Sequence, residues 1–267
     1  MVEYEYLGVE TEDRARWITL DNEEKLNALN TTLLAEFEDA LLDAEADDEI
    51  RVIVLRGAGR AFSSGYDFSD EGSGTMDDRI KAPSASHLDT MWNLNLPIIG
   101  AVDGYALASG CNLALACDQT YATDRSEFGF PDVHMGALPF RFVVPFVTDS
   151  MKHARELLYT GKHISAREAE EIGLINRAVE DEDALREIID EQIEYIKLTP
   201  SSVVKLIKDT LNDVQETQGY RSNSAANIEK YLSLISSETE TAYRFDEIVE
   251  EEGVKAGIEW MNTADKD

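Results

Sequence analysis

Two stretches of small residues carry the chemistry that a polypeptide backbone can do by itself. One is Gly104-Tyr105-Ala106-Leu107-Ala108-Ser109-Gly110-Cys111, which follows the apolar run Ile98, Ile99, Ala101 and Val102. The other is Gly57-Ala58-Gly59-Arg60-Ala61-Phe62-Ser63-Ser64-Gly65-Tyr66-Asp67, which follows Arg51-Val52-Ile53-Val54-Leu55. Glycine and alanine let the chain turn sharply and let a ligand approach the backbone closely. A helix opening just after Ala108 points free N–H groups, and the positive end of its dipole, at whatever sits above the turn. Two amides aimed at one carbonyl oxygen stabilise the charge that develops when a thioester becomes an enolate.

Stepping outward from the turns, the elements that must hold them are legible as an α/β chain. Residues 3–9 and 15–20 read as two short strands, with Glu10-Thr11-Glu12-Asp13 as the polar turn between them. Asn30 or Thr31 caps a helix bearing Leu33, Leu34, Phe37, Ala40, Leu41 and Ala44, a helical stripe, and Asp47-Asp48-Glu49 ends it. Residues 51–55 are a buried strand, so strand–helix–strand order implies a right-handed crossover. Residues 69–86 are polar and loop-like, and a helix resumes near Ser86 and runs to about Asn93. The central helix after Ala108 is apolar nearly all round and hence buried. Gln119–Thr123 reads as a strand and residues 127–133 as a short extended piece. Ser165-Ala166-Arg167-Glu168 matches a capping box, and Gly173 stops the helix it opens. From about residue 182 the pattern is all helical, with Pro200 starting a helix of Val203, Val204, Ile207, Leu211 and Val214. The composition shift divides the chain into residues 1–197 and a helical region at 198–267.

Composition excludes several classes of function. The formal charge of −30 over 267 residues opposes binding to nucleic acid or an anionic membrane. No apolar run approaches the length of a membrane span, and the acidic N-terminus lacks the basic and apolar regions of a signal peptide. Cys111 and Cys117, six apart in one apolar segment, read as buried fillers in a reducing compartment, so the expected location is cytoplasmic. Acids spread along the whole chain, with few lysines, point to a cytoplasm of very high salt, where self-repulsion is screened. No His/Cys/acid spacing suggests a metal site.

Over nearly its whole length the sequence resembles the crotonase, or enoyl-CoA hydratase/isomerase, superfamily. The runs that carry the resemblance are Glu24–Leu29, Gly57–Asp67, Gly104–Cys111, Phe128–Val133, and Leu158-Tyr159-Thr160-Gly161-Lys162 through to Asn176-Arg177, in this order. The resemblance implies a crotonase-like spiral of ββα turns with a C-terminal α-helical trimerisation region, a homotrimer or a dimer of trimers, and an acyl-CoA substrate. It implies no metal and no separate cofactor, coenzyme A being part of the substrate. By matched position, the backbone N–H groups of Tyr66 and Ser109 form the oxyanion hole. Lys25, Leu26, Ser64, Asp67 and Phe68 lie along the coenzyme A, with Tyr66, Ser109 and Gly110 at the thioester.

The resemblance breaks at two catalytic positions. Relatives that hydrate a double bond carry two glutamates where this chain has Asn112 and Asp132. An amide can hold a water but cannot exchange a proton at neutral pH, whereas Asp132 can do acid–base work. One carboxylate suffices for double-bond migration, so isomerisation and hydration both stand. A catalytically silent thioester binder, or decarboxylation or thioester hydrolysis, are the alternatives. Phe140, Arg141 and Phe142 replace glycines that many relatives have, and would remodel the acyl pocket wall. His134, two residues beyond Asp132, faces the same side if that piece is extended.

Overall fold

The computed structural model describes residues 3–67, 69–70, 86–137, 143–223, 230 and 240–263. Expectations for Phe68 and for Phe140, Arg141 and Phe142 lie outside them, as does most of 69–86.

Strand β1 (Leu7–Glu12) and strand β2 (Ala15–Leu20) form an antiparallel hairpin in which Glu12 pairs with Ala15. The turn is therefore Asp13-Arg14, not Glu10–Asp13. Both turn residues take positive φ, 49° and 67°, the geometry a two-residue hairpin needs. Helix α1 (Thr31–Ala46) opens on Asn30, whose side chain accepts from the Leu33 N–H at 2.7 Å. All six residues of its apolar stripe are buried.

The chain then alternates between two sheets. Strand β3 (Val52–Gly57) joins the large sheet and β4 (Ala61–Ser63) the small one. Helix α2 (Ser86–Asn93) follows, then β5 (Ile98–Val102) in the large sheet and β6 (Tyr105–Leu107) in the small one. Helix α3 (Ser109–Leu115) leads to β7 (Gln119–Thr123) and β8 (Glu127–Gly129), placed in the same alternation. Helices α4 (Val144–Val147) and α5 (Met151–Thr160), strand β9 (His163–Ser165), helix α6 (Ala166–Glu171) and strand β10 (Arg177–Val179) complete it. The large sheet has the order β1-β2-β3-β5-β7-β10, parallel except for the first pair; the small one is β4-β6-β8-β9. Each turn of the chain thus lays a strand in each sheet and a helix outside, as a spiral of ββα units. The capping box at Ser165–Glu168 is formed in both directions, and Gly173 ends the helix with φ 72°.

Helix α7 (Glu182–Leu198) covers one face of the large sheet, packing Leu185, Ile188, Ile189 and Ile193 on Trp17, Val54 and Ile99. The larger core, on the other face, contains α1 and α3. Helix α8 (Ser201–Thr217) forms after Pro200 as expected, and Val203, Ile207, Leu211 and Val214 on it are exposed. Two side chains fasten it: Asn212, whose Nδ2 donates to Trp92 O at 2.9 Å, and Lys208, 7% exposed, whose ammonium donates to Met91 O, Leu96 O and Asp118 Oδ2 at 3.1, 2.9 and 2.9 Å. Removing the lysine leaves two backbone carbonyls without its donor, while Asp118, 31% exposed, keeps Ile98 N–H and water. Lys208→Ala is expected to lose about 2 kcal/mol of stability, read as a lower midpoint in denaturant. A midpoint equal to the parent's would show that α8 is held by other contacts. Helices α9 (Glu240–Glu252) and α10 (Val254–Met261) pack on each other, and Phe245 and Met261 cluster with Met135 and Ala137.

Candidate active site

The two small-residue turns lie against each other. A Cβ built on Gly65 would fall 2.9 Å from Ala108 Cβ and 3.3 Å from the Ser109 nitrogen. One on Gly110 would fall 2.3 Å from the Ser63 carbonyl oxygen. Only glycine at 65 and 110 lets the β4 and α3 backbones come this close.

The aim of each amide follows from peptide planarity. In a trans peptide the N–H points opposite to the C=O it is bonded to. The Gly65 carbonyl accepts from Leu29 N–H at 2.8 Å, and Asp67 N–H donates to Leu29 O at 3.1 Å. The Tyr66 N–H is therefore directed away from the Leu29 segment. The Ala108 carbonyl accepts from Asn112 N–H at 3.1 Å, so the Ser109 N–H points backward out of α3, where a first-turn amide has no helical partner. Ala108 holds φ 51° and ψ −125°, a strained conformation for a residue with a Cβ. It is fixed from both sides, its own N–H donating to Gly129 O at 2.8 Å.

Asp132 stands beside this pair of turns. The piece expected to be extended over 127–133 is a strand only at its start, β8 (Glu127–Gly129); residues Pro131–Met135 form a 3-10 turn, because Pro131 presets the first φ and Gly136 ends the turn at φ 80°. The expectation that His134 shares a face with Asp132 fails for that reason. His134 Nε2 lies 2.7 Å from Thr160 O, at the end of α5. The Asp132 carboxyl turns inward: Oδ1 is buried with no hydrogen-bond partner. Burial pushes its pKa up to about 7, against a smaller opposing effect of its own backbone N–H. Asp132 follows three residues after Gly129, whose carbonyl holds the Ala108 N–H that precedes α3. Burial raises the pKa of the buried Cys111 thiol, a hydrogen bond from Gly129 opposes it, and the charge of Asp132 adds a smaller rise. Asn112 is 4% exposed, and its Oδ1 is likewise buried without a partner. Each of these two unsatisfied acceptors calls for a donor from elsewhere.

Lys25 and Asp67 form a clamp between the two loops that flank the site. Lys25 Nζ donates to Asp67 Oδ2 at 2.7 Å and to Ser69 Oγ at 2.8 Å. Burial alone would raise the Asp67 pKa; hydrogen bonds from Lys25 and from Ser69 Oγ and N–H outweigh it and hold the carboxyl below its ordinary value. Leu26 takes φ 55°, and Ser64 N–H donates to Leu26 O at 3.0 Å. Leu26, Ser64, Tyr66 and Asp67 are thus brought together at one edge, with Ser109 and Gly110 adjoining.

Two residues to which sequence reasoning assigns no role prove central. Asn27, fully buried with φ 54°, donates from Nδ2 to Ala58 O and Ala61 O at 2.9 and 2.7 Å and accepts from Asn22 N–H at 2.8 Å. Ser63 Oγ donates to Asn27 O at 2.8 Å. The available signal was a buried-type asparagine in a turn: Asn tolerates positive φ and carries both donor and acceptor. Among the described residues no group of three or more His, Cys, Asp or Glu could hold a metal ion, and no helix is long and apolar enough to cross a membrane.

The chain is similar to known proteins in sequence and in fold. The family model described as enoyl-CoA hydratase/isomerase matches residues 10–252. A probable enoyl-CoA hydratase of Rhizobium meliloti is 35% identical over 188 residues, 70% of this chain and 73% of that protein. The crystal structure of an enoyl-CoA hydratase/isomerase from Xanthobacter autotrophicus Py2 superimposes with TM-score 0.88 at 33% identity, covering 97% of this chain and 98% of that one. A monofunctional enoyl CoA isomerase from M. smegmatis is also similar, with TM-score 0.64 and 27% identity over 77% of this chain and 91% of that one.

Proposed function

This chain belongs to the enoyl-CoA hydratase/isomerase family and is an enzyme of that type; we propose that it moves the double bond of an enoyl-CoA thioester, with Asp132 as the one acid–base group. The observation that carries the reading is the carboxyl of Asp132, one oxygen of which is buried without a partner, together with an amide, Asn112, where hydration would call for a second proton-exchanging group.

The steps balance with one carboxylate. The thioester oxygen sits between the N–H groups of Tyr66 and Ser109. Ionised Asp132 takes a proton from the α-carbon of a 3-enoyl-CoA, and the electron pair moves onto the thioester oxygen, giving a dienolate. The protonated Asp132 then returns its proton to the γ-carbon, leaving the conjugated 2-enoyl-CoA. No water enters, and Asp132 ends as it began. Its pKa of about 7 suits both halves, since base and acid are nearly isoenergetic near neutral pH. Lys25, Leu26, Ser64 and Asp67 line the coenzyme A path in this reading. A second reading, hydration, draws on the unpartnered Asn112 Oδ1, which could accept from a water; Asp132 would then have to serve both proton transfers.

The test is a paired assay of a 3-enoyl-CoA and crotonyl-CoA. Isomerisation predicts rising ultraviolet absorbance with the 3-enoyl-CoA and no change in mass. Crotonyl-CoA gaining one water while the 3-enoyl-CoA persists would replace this reading by hydration. No turnover of either would favour a silent binder.

The exposed apolar face of α8 supports a trimer, and the charge of −30 supports work in a high-salt cytoplasm. In molar salt the protein is expected to sediment at about three times its 29.8 kDa chain mass and to keep its helical circular dichroism. In dilute buffer both are expected to fall, because unscreened self-repulsion opposes the compact state. A folded monomer stable without salt would overturn both proposals.

A further inference from the structure

We infer that the Ser63 hydroxyl is a positioning residue that sets the aim of the Tyr66 N–H against the Ser109 N–H; this rests on the thioester-oxygen site of the reading above. Ser63 ends β4 and is fully buried. Its Oγ donates to Asn27 O at 2.8 Å and accepts from Gly65 N–H at 3.3 Å. Its backbone carbonyl and Cβ are the atoms pressed against Gly110, one residue beyond Ser109. Ser63 therefore touches both turns, the first through its side chain and the second through its backbone.

The hydroxyl acts where the backbone is least constrained. Gly65 has φ 101° and no side chain, so the torsions that carry the Tyr66 N–H are set by the hydrogen bonds on either side of its Cα. The Leu29 N–H fixes one end of this hinge through Gly65 O, and Ser63 Oγ fixes the other through Gly65 N–H. Asn27 in turn fixes the rotamer of Ser63 by accepting its proton. Neither Ser63 nor Asn27 touches the reacting atoms in this scheme. They act on the direction of one amide, and an amide stabilises an oxyanion only when aimed at it.

The experiment compares Ser63→Ala and Ser63→Cys with the parent. Its readouts are turnover and the infrared carbonyl band of bound butyryl-CoA, isotope-labelled at the thioester carbon. The parent is expected to shift that band to lower frequency on binding. Ser63→Ala is expected to lose most of the shift, with kcat falling about tenfold or more and KM within about twofold, since a misaimed amide forfeits part of what a lost one would. Ser63→Cys, which keeps a weak donor and acceptor, should recover part of both. A folded Ser63→Ala with the parent's band and kcat overturns the inference, as does a change confined to KM. If Ser63→Ala does not fold, a parent-like band in Ser63→Cys overturns it. No band shift in the parent itself removes the thioester-oxygen site, and with it this inference.

Discussion

Asp132→Asn is expected to abolish turnover, by about a thousandfold or more, while acyl-CoA binding stays within about twofold of the parent. The substitution keeps the shape of the side chain and removes both its charge and its ability to exchange a proton. Burial holds the Asp132 pKa near 7, so in the parent the rate should rise with pH through about 7 and level off above it, following the ionised fraction. The same substitution is expected to stabilise the fold. A carboxyl whose folded pKa is raised prefers to be neutral in the folded state. No penalty applies below the ordinary carboxylate range near pH 4; it grows as pH rises to about 7 and is complete above. Its upper figure is about 4 kcal/mol at about pH 8. The substituted amide carries no charge to bury, so the variant should melt above the parent at about pH 8, with the gap closing near pH 4. Turnover surviving in Asp132→Asn would remove the acid–base assignment. A parent more stable than the variant at high pH would mean the carboxylate has a partner that its buried, unbonded Oδ1 does not show.

The second large effect belongs to Gly110→Ala. On an exposed helix this change normally adds stability, because alanine is the better helix former. Here the new methyl would lie 2.3 Å from Ser63 O and 2.7 Å from Ser63 Cβ. Neither atom can retreat easily. Ser63 pairs with Ala106 in the small sheet, and Ser64 N–H is bonded to Leu26 O. We therefore expect a loss of about 2–3 kcal/mol, the usual cost of overpacking, and a fall in kcat of more than about a hundredfold as the two turns are pushed apart. Thermal unfolding and steady-state kinetics measure the two effects. A variant of parental activity would show that the separation of the turns does not set the rate.

Much of this was legible in the chain because it is local physics. The α1 stripe from Leu33 to Ala44, the Asn30 cap, the capping box at Ser165 and the stop at Gly173 depend on neighbours within a turn or two of helix. Gly57–Asp67 and Gly104–Cys111 read as turns from their small residues, and the structure adds a short strand within each, β4 and β6, which pair with each other; Asp132 and Asn112 stand out by their place in a recognisable pattern. Where reading failed, a short-range rule competed with another. Residues 127–133 read as extended because Phe130 precedes a proline; that holds for β8 at Glu127–Gly129, whereas Pro131 at the start of a turn and Gly136 at its end close Pro131–Met135 into a 3-10 helix.

What the sequence by itself determined is the alternation of strands and helices, the acidic charge and the identity of the groups available for chemistry. What only the tertiary structure decided is which of them meet and in what environment. Asp132 is one acid among 54 acidic residues until packing withdraws its carboxyl from water and shifts its pKa. Ser63 and Asn27 are ordinary polar residues until a buried strand brings both under Gly65. Lys208 looks like a surface cation on a helix until it is closed over Met91, Leu96 and Asp118, which leaves the apolar stripe of α8 outside. Desolvation and hydrogen bonding between residues distant in the chain depend on three-dimensional neighbours, and sequence spacing carries no record of them.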